Sequence, residues 1–185
     1  MDKAELRSAH RARRRERPDG WVDAQGALLA AHAAAIPGHT LTAFVGAGGE
    51  VATLPLLEAL VADGRRVLLP VTLDDMRLDW VEYTGADDLA PAGFGLLEPT
   101  GPRLGVEAIA DADVVLAPAL AVDLAGRRLG QGGGCYDRSL PLASAEVIAV
   151  VADDEVVDEV PTEPHDLRVD GVLTPAGGLL RLPRA

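Results

Sequence analysis

Lysine is nearly absent from this 185-residue chain, and so are cysteine and the aromatics. Lys3 is the one lysine, which excludes a Walker A phosphate loop, because that motif needs a lysine directly after its last glycine. Cys135 is the one cysteine, so an intrachain disulfide cannot form. Aromatics are 3% of the residues, and the core must therefore be built from Ala, Val and Leu, which the 48% hydrophobic content can supply for one domain. No apolar run is long enough to span a bilayer: the longest, residues 26–36, is interrupted by His32. The N-terminus is charged from Asp2 onward and lacks the apolar core of a signal peptide. A cytoplasmic location, with no membrane partner, is the expectation.

Charge is also lopsided. The chain carries a net −12, yet residues 1–17 hold seven cationic side chains against three acidic ones, a net +4 that leaves −16 for the remainder. An acidic body repels a polyanion and no aromatics interleave the arginines, which argues against nucleic acid as a partner. The plain reading of the basic arm is a solvated helix face. The alternative is that part of it reaches a phosphate-binding loop.

Such a loop is the most informative run in the chain. Between Arg128 and Asp137 stand Gly130, Gly132, Gly133 and Gly134, four glycines in five positions. Without Cβ atoms, successive backbone N–H groups can turn inward around an anion. Arg128 can add a planar fork of donors, and Asp137 a hard oxygen for a magnesium ion on the phosphates. A dinucleotide fingerprint would need Gly or Ala at Cys135 and does not fit.

Periodicity predicts helices over 3–17 and 21–36, the second stopped by Pro37-Gly38, and a strand over 41–45 followed by the loop 46–50. A helix with Thr53 as N-cap should end near residue 63, and strands are expected over 66–70, 78–83, 112–116 and 146–151, with a short helix from about Tyr136. Strand, helix and strand at this spacing form a βαβ unit, and near-continuous apolar strands imply a mostly parallel sheet covered on both faces. The expected fold is a single three-layer α/β/α domain over 1–185, with the helices of 1–36 packed on the α/β body. Ligands in such sheets sit at the carboxyl ends of strands, where both glycine-rich loops fall. The serines Ser8, Ser139 and Ser144 lie in no nucleophile elbow, and the four histidines lack zinc spacing. In the run 161–170, Asp166 is either ordinary turn chemistry or a second metal carboxylate.

Taken together, these segments resemble the 5-formyltetrahydrofolate cyclo-ligase family over nearly the whole chain. The carriers are Lys3-Ala4-Glu5-Leu6-Arg7, Glu50 with Thr53, residues 94–99, residues 117–123, the signature 128–137, and His165-Asp166 through Val172. The resemblance implies a reaction of ATP with 5-formyltetrahydrofolate that gives ADP, phosphate and 5,10-methenyltetrahydrofolate through phosphorylation of the formyl oxygen. It implies that Lys3, Arg7, Arg128, Leu129, Gly130, Gln131, Gly132, Gly133, Gly134, Cys135 and Tyr136 hold ATP, with Arg128 and Tyr136 catalytic. Val45, Glu50 and Phe94, with Gln131 to Cys135, would line the folate site, and Asp137 and Asp166 would hold Mg2+. A monomer with these two small-molecule substrates is expected.

The chain departs from the family's usual residues at Cys135 (an aromatic), at Gly133 (often lysine) and at Ala121-Val122-Asp123, which lacks the common phenylalanine. Two alternatives stand beside the cyclo-ligase: a same-fold relative with another role, for instance near thiamine metabolism, and a non-catalytic nucleotide or folate binder.

Overall fold

The computed structural model describes residues 1–163 and 166–183. Its centre is a seven-stranded sheet built from β1 (Thr40–Thr42), β2 (Arg66–Thr72), β3 (Leu78–Glu82), β6 (Val114–Pro118), β9 (Glu146–Val150), β11 (Gly171–Thr174) and β12 (Gly178–Arg181), in the order β12-β11-β9-β6-β1-β2-β3. The five inner strands are mutually parallel, and β3 and β12 are antiparallel edges. The expected βαβ unit is present: β1 passes through α3 (Leu54–Ala62) into parallel β2, with Leu41 opposite Val67. The strand read at 78–83 returns instead as a hairpin with β2, Leu69 opposite Val81.

One face of the sheet packs against α2 (Trp21–Ala30) and α3 through Leu29, Leu56, Leu57 and Leu60. The other packs against Ile109 of the 3-10 segment Val106–Asp111, Leu140, and the partly buried Cys135 and Tyr136 of the one-turn helix α4 (Cys135–Ser139). The α/β/α layering therefore holds, with a second helical layer made of short turns. The predicted helix over 21–36 is interrupted: α2 ends at Ala30, and Ala33–Ala35 form a 3-10 turn. Thr53 stands at the N-cap of α3 without capping it. Its hydroxyl donates to the Phe44 carbonyl at 2.6 Å and accepts from the Gly46 N–H at 2.9 Å, tying together the two ends of the segment between β1 and α3.

Two small sheets escaped the sequence reading. β4 (Leu89–Pro91) and β5 (Leu97–Pro99) form a hairpin, and β7 (Ala121–Asp123) lies between β8 (Arg128–Leu129) and β10 (Val156–Val157). The approach to the glycine run is thus the β7–β8 hairpin and not the strand at 112–116 directly. Asp123 holds that hairpin, accepting from the Ala125, Arg127 and Val160 N–H groups.

Helix α1 (Lys3–Arg15) lies against this small sheet. Its start is specified locally by a capping box: the Asp2 carboxylate accepts from the N–H groups of Ala4 and Glu5, and Glu5 accepts from the Asp2 N–H. Leu6 packs on the cluster of Leu120, Ala121, Leu129 and Val160.

Candidate functional site

Strand order reverses between β1 and β6, since the chain moves from β1 to β2 on one side and later to β6, β9 and β11 on the other. A crevice opens at the carboxyl ends of strands at such a switch point. Here it is a cavity of about 840 Å³, lined by residues after β1 (Val45, Ala47, Glu50), from β2 (Pro70, Thr72) and at the end of β6 (Pro118). Every candidate site residue named from the sequence lies on its wall: Lys3, Arg7, Val45, Glu50, Phe94, the run from Arg128 to Asp137, and Asp166. His165, the other half of the expected C-terminal metal segment, lies outside the described residues.

Arg128 is almost wholly buried, and its Nη2 donates to Asp137 Oδ1 at 2.6 Å. Its guanidinium carbon is 5.9 Å from the centroid of the Tyr136 ring. The Tyr136 hydroxyl is closed off from solvent with no protein partner among the described residues, and burial raises the phenol far above its ordinary value. The hydroxyl is therefore a protonated donor on the cavity wall, and not a base. Burial likewise raises the Cys135 thiol, which makes it an apolar contact and not a reactive thiolate. In the glycine run, Gly132 and Gly134 take φ of +102° and +72°, which a side chain would oppose. A Cβ at Gly133 would sit 2.9 Å from Met76 Cε, so a methionine end occupies the space a larger residue there would take.

Glu50 is held from two sides, accepting from Arg14 Nη1 at 3.1 Å and from the Ala47 N–H at 3.0 Å. Arg14 is itself buried, donating to Glu155 Oε1 at 2.7 Å and to the Ala119 carbonyl at 2.6 Å. Burial is the largest influence on Glu50 and raises its carboxyl, against the opposing pull of Arg14 and the Ala47 N–H. Glu50 is thus neither a solvent-facing loop acid nor a freely hydrated one.

Phe94 is 87% exposed at the tip of the β4–β5 hairpin, which rules out a core role. Its φ is +60° and that of Met76 is +65°; among the described residues these are the only non-glycine residues with positive φ, and both line the cavity. Backbone strain of this kind costs of order 1–3 kcal/mol per residue and clusters where ligands are gripped.

The solvated-face reading of the N-terminal arm holds only in part: Arg11, Arg13 and Arg15 are exposed, but other residues of the helix turn inward. Arg14 and His10 are buried, Arg7 Nε donates to the Gly130 carbonyl at 3.0 Å, and Arg11 donates to the Gln131 carbonyl at 2.6 Å. Lys3 Nζ contacts Asp166 at 2.6 Å and Glu163 at 2.8 Å. Burial works to lower the Lys3 ammonium, but these two carboxylates prevail and hold it above the ordinary lysine value. Sequence reasoning passed over Arg11, Arg14, Arg15 and Met76. The four-residue spacing of Lys3, Arg7, Arg11 and Arg15 was the available signal for Arg11 and Arg15.

Among the described residues no three His, Cys, Asp or Glu side chains come together as a metal cluster. Asp137 and Asp166 instead stand on the wall of the same cavity as the glycine loop. Such a donor set suits a hard cation that takes its remaining oxygens from bound phosphates. No helix of the described residues is long and apolar enough to cross a membrane.

A family model described as the 5-formyltetrahydrofolate cyclo-ligase family matches residues 1–175. The 5-formyltetrahydrofolate cyclo-ligase of Mycolicibacterium smegmatis is 44% identical over 189 residues, covering 97% of each chain. The enzyme of the same name from Escherichia coli strain K12 is 32% identical over 143 residues, covering 75% of this chain and 79% of its own. Among solved structures, the Aquifex aeolicus 5,10-methenyltetrahydrofolate synthetase superposes with a TM-score of 0.82 at 25% identity, over 100% of this chain and 95% of that one.

Proposed function

This chain is an enzyme of the 5-formyltetrahydrofolate cyclo-ligase family, and on that premise we propose that it cyclises 5-formyltetrahydrofolate to 5,10-methenyltetrahydrofolate at the expense of ATP. The observation that carries the reading is the shared cavity, in which the glycine loop and the Glu50 loop face one space at the carboxyl ends of the strands.

A formamide oxygen leaves poorly, so it must first be esterified. The formyl oxygen attacks the γ-phosphorus of ATP and ADP departs. N10 then attacks the formyl carbon, phosphate leaves with the former formyl oxygen, and N10 gives up its proton. No covalent enzyme intermediate is required, which suits a wall without an activated nucleophile, because phosphoryl transfer rests on positioning and charge stabilisation.

The glycine-loop N–H groups, Lys3 and Arg7 bind the phosphates in this scheme. Arg128 stabilises charge on the transferring group, and the neutral Tyr136 phenol donates a hydrogen bond to an oxygen beside it. Glu50 accepts from the pterin N–H groups, with Val45 and Phe94 against the rings. Asp137 and Asp166 would hold Mg2+, which neutralises phosphate charge when bound. A monomer and a cytoplasmic setting belong to the same proposal.

The test is direct: enzyme, Mg-ATP and 5-formyltetrahydrofolate should generate the near-ultraviolet absorbance of the methenyl product. Folded protein that yields none at high concentration defeats the reading in favour of a binder or a relative with another role.

A further inference from the structure

Among the described residues, six cationic side chains line the cavity: Lys3, Arg7, Arg11, Arg14, Arg15 and Arg128. Three are matched by carboxylates, Lys3 by Asp166 and Glu163, Arg14 by Glu50 and Glu155, and Arg128 by Asp137. Among the described residues, Arg7 and Arg11 donate to neutral groups of the glycine loop, and Arg15 makes no hydrogen bond or ion pair. Unmatched guanidinium groups in one wall of an otherwise acidic protein call for anionic ligands.

Lys3, Arg7, Arg11 and Arg15 recur every fourth residue of α1, a row about 18 Å long at 1.5 Å per residue. Its neighbours change along its length. Lys3 meets Glu163 and Asp166, Arg7 and Arg11 meet the glycine loop, and the C-terminal turn lies against the 46–50 loop. There Arg14 holds Glu50, and a Cβ on Gly49 would sit 2.9 Å from Arg14 Cβ. The phosphates therefore belong to the inner part of the row and the folate to the outer part.

We propose that Arg11 and Arg15 form a subsite for the glutamate tail of the folate, receiving its carboxylates and those of any further glutamates attached to it. This rests on the cyclo-ligase reading. In a reduced folate the pterin and the benzamide are uncharged and the glutamate carries both negative charges, so the tail is the part that two exposed guanidinium groups beside the Glu50 loop can recognise. Arg15 is at the outer end and, among the described residues, has no other partner; it is the specific determinant. Arg11 also steadies Gln131.

Three substrates separate this from its rivals: 5-formyltetrahydrofolate, its triglutamate, and its diamide, in which the tail is uncharged. In Arg15→Gln the KM for the triglutamate should rise about tenfold, in the range of a lost charge-assisted contact, and that for the monoglutamate less. The diamide and ATP KM values should stay within about twofold of wild type. Arg15→Glu should exaggerate the order, and Tm should not move, since the side chain is exposed and unpaired. Equal effects on all three folates, or a rise in the ATP KM instead, overturn the proposal. Equilibrium binding of the triglutamate without ATP gives a readout independent of turnover. Equal affinity in wild type and Arg15→Gln overturns the subsite even where methenyl product forms, whereas absent product with charge-dependent binding overturns only the reaction.

Discussion

Arg128 donates to Asp137 across 2.6 Å, so the cation proposed to meet phosphoryl charge and the carboxylate proposed to hold the metal are partners before any nucleotide arrives. Such a pair presets both side chains, at the cost that each must be shared when phosphate and metal bind. Asp137→Ala should nearly abolish turnover and leave Arg128 without its carboxylate. Arg128→Lys keeps the charge but loses the fork, and kcat should fall about 100-fold, the scale of one lost preorganised donor. Near-wild-type turnover in Asp137→Ala with an unchanged magnesium dependence would remove the metal role.

Glu50 must be ionised to accept from pterin N–H groups, and burial raises its carboxyl. The folate KM should therefore climb as pH falls through a value above the ordinary glutamate range, while the ATP KM does not follow. Glu50→Gln should raise the folate KM far more than the ATP KM at neutral pH and flatten the acid limb. For stability the sign runs the other way. The folded state holds this proton more tightly than the unfolded one, so the contribution of Glu50 is greatest below its unfolded pKa and is lost as pH rises through the raised value. Equal KM effects on both substrates would return Glu50 to a structural part.

Arg14 is 4% exposed and bridges two carboxylates and a carbonyl. Removing one partner of such a buried pair typically costs about 3–5 kcal/mol, so Arg14→Ala should show a large drop in denaturant midpoint. Arg14→Lys, which keeps charge without the fork, should lose less. A midpoint within experimental error of wild type in Arg14→Ala would mean that α1 is not clamped to the 46–50 loop through this side chain.

Phe94 projects into solvent at the cavity mouth. Truncation there removes no core contact, so Phe94→Ala should leave Tm unchanged while raising the folate KM several-fold, a stacking contact being worth about 1 kcal/mol. Phe94→Gly should match the wild-type Tm or exceed it, because glycine relieves the positive φ. A loss of Tm in either variant without a change in KM contradicts the folate role.

Lys3 stands in the first turn of α1 between Asp166 and Glu163. Lys3→Ala should weaken ATP binding with little change in Tm measured without nucleotide, and Lys3→Arg should restore only part, since a planar fork does not replace a compact ammonium. An unchanged ATP KM in Lys3→Ala would confine the residue to its two ion pairs.

Much of this architecture was legible in the residues because it is encoded locally. The helix begun at Lys3, the apolar runs at 66–70 and 146–151, the β1-α3-β2 unit and the glycine run each lie within a few turns of chain, where periodicity and backbone freedom act. That the 46–50 loop falls at a carboxyl strand end followed from the parallel sheet, whereas the glycine run reaches the same cavity by way of the β7–β8 hairpin, which local pattern did not show. Local pattern was silent on strand direction: an apolar run reads the same in an antiparallel edge such as β3 as in a parallel neighbour. The two- and three-residue strands of the small sheets are too short to show any period.

The role of α1 was decided by tertiary structure. A basic helix in isolation keeps its cations in water, the lower-energy choice for an unpaired charge. What reverses that choice is a set of partners far along the chain: Asp166 lies 163 residues from Lys3, Glu155 lies 141 from Arg14, and Gly130 lies 123 from Arg7. Burial of a guanidinium is favourable only where opposite charge and carbonyl oxygens converge on it, and the segments that follow β1, β6 and β9 bring them together around Arg14.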